Sequence, residues 1–430
     1  MKKSIFILLA IILVLCGILA AIYFDSLPTD EPGIGGDAQG EPSTPDDDSA
    51  DKPDAPVDQP SDPAPEDPEE PEDPEEPEDP ADPPVDEPAE PSDPAPEDPT
   101  PEDPPAQPAP AETIVALKGK YYTYAEMKTD LAELAARYPD HMSYRSYGVS
   151  ADGRNLYVAT LGNAQAEKQV IITSGMHARE YVNPYVIMCQ LEYYLENYDT
   201  LTYQGQALSA LLETVCFVIV PMANPDGITI SQEGISAVRT PALRQQLTAM
   251  LRGLGITGSA RIDAYLNKEW KSNVRGVDIN RNFNALWGEY ASGMNAPTYK
   301  NYKGPMAVSE PETAALVTLT ESLSNPVASV CMHMQGQVIY WRCFQEGALL
   351  EQNRRLADIA QSVTGYLVDN ENQTEPSYSN WTILAHDIPT ITVETGLSTY
   401  PLNTAYMADG IFKKTHLLWA ALAFEYANQP

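Results

Sequence analysis

Residues 25–112 constrain the fold more than any other stretch, because they are built from Pro, Asp, Glu, Ala and Ser with almost no large apolar side chain. Such a tract cannot bury a core. It carries 32 acidic residues and one lysine, about −31 of the chain's formal charge of −36, and repeats Ser-Asp-Pro-Ala-Pro-Glu-Asp-Pro at Ser61 and Ser92. The low pI therefore describes this tract, and residues 113–430 are only mildly acidic. Proline stiffness and like-charge repulsion extend it to a reach on the order of 250 Å, so it reads as a disordered stalk, passive linker or spacer. Ahead of it, residues 1–24 pair Lys2 and Lys3 with an uncharged apolar run of bilayer-spanning length. That predicts a transmembrane anchor with the remainder outside the cytoplasm, at the cell membrane. A cleaved signal peptide is the competing reading, although the run is long for one. Cys16 raises a lipid-anchored alternative, against which stands the bulky Leu15 before it.

All folded structure must then come from residues 113–430, one large domain. Helix periodicity runs over 124–138, and strand-like runs fall at 156–161, 169–174, 215–222, 327–334 and 390–394. Helical patterns cover 184–198, 310–324 and 406–427. Buried strands alternating with helices predict an α/β domain with a mixed, mostly parallel twisted sheet covered on both faces. In such sheets sites form at the carboxyl ends of the strands. Cys189, Cys216, Cys331 and Cys343 lack CxxC spacing and read as buried thiols, not a disulfide or cysteine–zinc framework. No basic patch points to nucleic acid.

Chemistry concentrates at predicted strand ends. His177-Ala178-Arg179-Glu180 follows the strand over 169–174, and His333 ends another. Two imidazoles and a carboxylate suit one Zn²⁺ per chain, with an open coordination position that marks catalysis over structure. Glu394 ends an apolar strand, where a carboxylate makes little sense unless it faces a cleft, and is the candidate general base.

These pieces resemble the zinc metallocarboxypeptidases. The resemblance spans residues 113–430 through Tyr122-Thr123-Tyr124, His177-Ala178-Arg179-Glu180, Asn224-Pro225-Asp226-Gly227, Gly276 to Phe283, Ser309-Glu310-Pro311-Glu312, His333 and Thr392-Val393-Glu394-Thr395-Gly396, in the family's order. It implies that His177, Glu180 and His333 bind zinc, that Glu394 is the base and later the proton donor, and that Asp278 supports a ligating imidazole. Asn280 and Arg281 match the pair that grips the substrate's terminal carboxylate, and Arg179 a substrate-side arginine. Two departures stand out. Lys271, in Trp270-Lys271-Ser272-Asn273, replaces a carbonyl-polarising arginine, a version similar to bacterial peptidases that cut γ-D-glutamyl-diaminopimelate bonds. The tyrosine that closes over substrate has no aligned counterpart; Tyr378 is the candidate substitute, and the side-chain preference position falls near Ser379. The resemblance implies a peptide substrate, peptidoglycan stem peptides among them; trimming of ordinary L-peptides outside the cell and a peptide- or wall-binding module without catalysis are the rival readings.

Overall fold

The computed structural model describes residues 112–291, 294–397 and 404–429. The expected membrane segment and nearly all of the stalk lie outside the described residues, among which no helix is long and apolar enough to cross a membrane.

Eight strands form one sheet: β1 (Met142–Val149), β2 (Asn155–Leu161), β3 (Lys168–Ser174), β4 (Val215–Val220), β5 (Pro326–Met334), β6 (Val338–Tyr340), β7 (Leu367–Asp369) and β8 (Thr390–Thr395). Their spatial order is β1-β2-β4-β3-β5-β8-β6-β7. The central pairs β4–β3, β3–β5 and β5–β8 are parallel, β7 runs parallel to β6, and the remaining neighbours are antiparallel. The expected mixed sheet is thus present, its parallel part confined mainly to the middle.

Side-chain alternation places a different core on each face. Phe217, Ile219, Val330, Met332, Ile391 and Val393 join one apolar cluster with helices Val182–Glu196 and Leu418–Ala427. Val218, Val220 and Cys331 join another, with Leu316 and Leu319 of helix Pro311–Glu321 and with Tyr378 and Trp381 of helix Tyr378–His386. Burying both faces explains why the central strands read as continuous apolar runs. A third cluster, around Trp270, Leu247 and Leu266, packs helices Pro241–Gly253 and Ser259–Glu269 beneath the loop that carries Lys271.

Local signals fix several boundaries. Thr123 caps helix Tyr124–Arg137 reciprocally with Glu126: the Glu126 amide donates to Thr123 Oγ1 at 3.2 Å, and Glu126 Oε2 accepts from the Thr123 amide at 2.7 Å. The expected single C-terminal helix is instead two, Thr404–Thr415 and Leu418–Ala427, broken around His416. All four cysteines in the described residues are free thiols.

Candidate active site

The carboxyl ends of β3, β5 and β8 lie side by side and deliver the site. In the β5–β8 ladder His333 sits directly opposite Glu394. Both therefore project from one face, two residues on from Cys331 and Thr392 respectively. After β3 the chain turns at Gly175, φ 65°, where a Cβ would lie 2.8 Å from Ile228 Cδ1, so only glycine lets the chain swing into His177. The 177–180 turn is then braced from below. Asn224 Nδ2 donates to the carbonyls of Met176 (3.0 Å) and Ser272 (3.2 Å), while Asn224 Oδ1 accepts from the Gly227 amide. The amides of Ala178 and Arg179 donate to the carbonyls of Lys271 and Trp270. The Asn224-Pro225-Asp226-Gly227 turn is thus a strut joining the two loops that carry His177 and Lys271.

Three buried groups converge. His177 Nδ1 lies 2.8 Å from Glu180 Oε1, and His333 Nδ1 lies 3.0 Å from Glu180 Oε2. One donor atom from each of the three falls within 4.8 Å of the others. The two Nδ1 atoms face inward, so the Nε2 atoms face outward: His177 Nε2 is 3.3 Å from Asp278 Oδ1 and His333 Nε2 is 3.3 Å from Asn280 Nδ2. A carboxylate set between two inward imidazole nitrogens, with the Asp278 carboxylate behind the His177 ring, is a donor set that fits a divalent cation of zinc type. Burial pushes the Glu180 carboxyl up, yet His177, then Lys271, and hydrogen bonds from both imidazoles hold it well below the usual range. Burial likewise opposes ionisation of Asp278, but His177, then Arg281 and Lys271, depress it strongly.

A cleft of about 220 Å³ opens beside this triad, lined by His177, Lys271, Asn280, Arg281, Ser379 and Glu394 among others. Lys271 Nζ stands 3.4 Å from Glu180 Oε1. Glu394 Oε2 is buried without a hydrogen-bond partner. Burial and then the Glu180 charge push the Glu394 carboxyl up to about 7, against the pull of His333, Lys271 and Arg281. Arg281 is fixed by donation from Nε to Tyr290 Oη at 3.3 Å and from Nη1 to the Asn280 carbonyl at 2.9 Å.

One expectation needs correction. Tyr378 cannot close over a substrate: its ring is fully buried against Phe283 and Trp381, with centroids 5.3 and 5.9 Å away, and its hydroxyl lies 2.9 Å from Thr320 Oγ1. The reason is helical phase. Ser377 caps helix Tyr378–His386, and successive helical residues point about 100° apart, so Ser379 lines the cleft while Tyr378 faces the core. Tyr378 instead serves through its backbone, whose amide donates to Asn280 Oδ1 at 3.0 Å. Arg179 is not among the residues lining this cleft; its Nη1 sits 3.5 Å from Glu269 Oε2.

Sequence reasoning missed Tyr340, Thr392, Gln373, Glu375 and Ser377, which also line the cleft. Thr392 was discoverable, since alternation puts it on the face of Glu394, and Tyr340 pairs directly with it across the β8–β6 ladder.

The family model for zinc carboxypeptidases matches residues 127–424. The chain belongs to the zinc carboxypeptidase family. It is 29% identical over 299 residues to gamma-D-glutamyl-L-diamino acid endopeptidase 1 of Lysinibacillus sphaericus, covering 68% of this chain and 71% of that protein. Carboxypeptidase B of Canis lupus familiaris is 26% identical over 245 residues, 56% of this chain and about half, 52%, of that protein. Among solved structures, the carboxypeptidase A of Helicoverpa armigera shares the fold with a TM-score of 0.54 at 20% identity, covering 71% of this chain and 74% of that one. The family's metal is zinc, and His177, Glu180 and His333 form the triad able to hold it.

Proposed function

We propose that this peptidase is tethered at the cell membrane, works outside the cytoplasm, and hydrolyses γ-D-glutamyl-diamino acid bonds in wall-derived peptides. The observation that carries the reading is the cleft: its lining is polar and charged, with Lys271 and Arg281 facing Glu375 and Glu394 and the small Ser379 where side-chain preference is expected. Such a lining suits a highly charged peptide better than an aromatic or aliphatic one. Similarity to the Lysinibacillus sphaericus endopeptidase supports it, as do Lys2, Lys3 and the apolar run behind them for the location.

Zinc held by His177, Glu180 and His333 would supply Lewis acidity to the scissile carbonyl. Glu394 takes the proton of the attacking water and returns it to the leaving amine, a role suited to a carboxylate at a cleft wall with a free oxygen. Lys271 adds a compact positive charge beside the developing oxyanion. Asn280 and Arg281 bind a carboxylate beyond the scissile bond, and Asp278 keeps the His177 ring oriented.

The test is incubation of the full chain with a muropeptide mixture and with unmodified L-peptides, both followed by mass spectrometry. Loss of the γ-D-glutamyl-diamino acid bond supports the reading. Cleavage confined to L-peptides replaces it with extracellular peptide trimming, and no cleavage of either by zinc-loaded protein favours a binding module.

A further inference from the structure

Residues 286–290 make a tight turn outside the cleft, and its construction serves one side chain. The turn starts at Leu286 with φ 54°, a backbone conformation that leucine rarely adopts. The Leu286 carbonyl accepts from the Glu289 and Tyr290 amides at 3.1 and 3.0 Å. Lys303 closes the turn from outside: its Nζ donates to the carbonyls of Trp287 at 2.7 Å and Tyr290 at 2.9 Å, and lies 4.3 Å from the centre of the Trp287 ring. The Lys303 carbonyl in turn accepts from Trp287 Nε1 at 3.1 Å and from Asn282 Nδ2 at 2.9 Å, which ties the turn to the residue after Arg281. A strained backbone persists only where its surroundings over-determine it. What this one presents to Arg281 is the Tyr290 hydroxyl, which accepts from Arg281 Nε at 3.3 Å.

A guanidinium can hold a carboxylate in two-pronged fashion along either of two edges, one made by Nε and Nη2 and the other by Nη1 and Nη2. The Nε–H of Arg281 is committed to Tyr290, which closes the first edge. The Asn280 carbonyl accepts only one of the two Nη1 protons, at 2.9 Å, so the second edge keeps donors for a ligand. Resting on the reading above that Arg281 grips the substrate's carboxylate, we propose that Tyr290 is a positioning residue, which locks the guanidinium so that its Nη1–Nη2 edge is the one offered to the substrate. Without the hydroxyl, Nε–H loses its acceptor and the guanidinium is no longer held to one edge. The grip on the carboxylate then weakens, while the triad and Glu394 keep their own contacts.

The zinc-loaded full chain and its Tyr290→Phe variant are assayed on γ-D-glutamyl-L-lysine and γ-D-glutamyl-L-lysinamide, and on benzoylglycyl-L-lysine and its amide. Phenylalanine keeps the ring and removes only the hydroxyl. KM on the free acid should rise about 3- to 10-fold, the worth of one hydrogen bond, with kcat within about 2-fold. On the amide kcat/KM should stay within about 2-fold, because the missing contact acts only through the carboxylate. A merely loosened fold would instead lower kcat on acid and amide alike. In an Arg281→Ala background, adding Tyr290→Phe should change kcat/KM on neither substrate, since the group it positions is gone. An unchanged free-acid KM in Tyr290→Phe, an equal loss on acid and amide, or a full effect of Tyr290→Phe without Arg281 overturns the inference and leaves the carboxylate grip standing. Equal native rates on acid and amide remove that grip and the inference with it. A selective rise in KM seen only in the benzoylglycyl series upholds the inference while removing the wall-peptide reading.

Discussion

Replacing Glu394 with glutamine should separate metal binding from chemistry. Glu394 lies outside the triad whose donor atoms fall within 4.8 Å of one another, so zinc should remain at about one per chain. Glutamine keeps the length and planar end of the side chain but accepts no proton from water at neutral pH. No internal hydrogen bond to Oε2 is broken, because none exists, and removing a charge that Glu180 repels should leave thermal stability unchanged or slightly higher. Losing a general base costs about 10²- to 10⁴-fold in rate, or about 2.7 to 5.4 kcal/mol of barrier. Steady-state kinetics and zinc analysis on the same preparations give both numbers. Turnover within about 3-fold of the native chain would remove Glu394 from proton transfer, and loss of zinc would make it a ligand.

Three further expectations follow from named contacts. His333→Ala should abolish stoichiometric zinc, measured by metal analysis after dialysis, because it removes one of three donors. Amidating the substrate carboxylate beyond the scissile bond should slow cleavage by about 10- to 100-fold in the native chain, and Arg281→Ala should erase most of that difference; equal native rates would refute the carboxylate grip. Glu312, buried behind the Lys271 loop, accepts from the Ala151 amide and Asn273 Nδ2, and burial, then Asp226, raises it from 4.5 to about 7. Between those values the folded chain keeps a proton that the unfolded chain has released, so this group's contribution to stability falls as pH rises from about 4.5 to 7, by about 1–3 kcal/mol. Glu312→Gln should flatten that part of the profile in chemical denaturation, and an identical slope in both proteins would refute the assignment.

Much of the site was legible because its residues end strongly apolar strands. His333 and Glu394 each close a run whose other face is core, where a carboxylate makes little sense unless it faces a cleft. The edges were not legible for the opposite reason. β6 and β7 are three residues long, and β1 is largely exposed along its length, so none carries enough periodic apolar signal to stand out. Tyr340 was lost with β6. Tyr378 was misjudged because one residue of helical phase, set by the Ser377 cap, decides which of two neighbours meets solvent. Glu375 sits in an irregular segment held by its own backbone hydrogen bonds, where no periodicity indicates direction.

X-ray absorption at the zinc edge on the purified full chain reads the metal's donor atoms themselves. The two histidines and Glu180 predict a shell of nitrogen and oxygen at about 2.0–2.1 Å, with imidazole scattering and no sulfur. A sulfur shell at about 2.3 Å, or an unchanged spectrum with full zinc in His333→Ala, would contradict it.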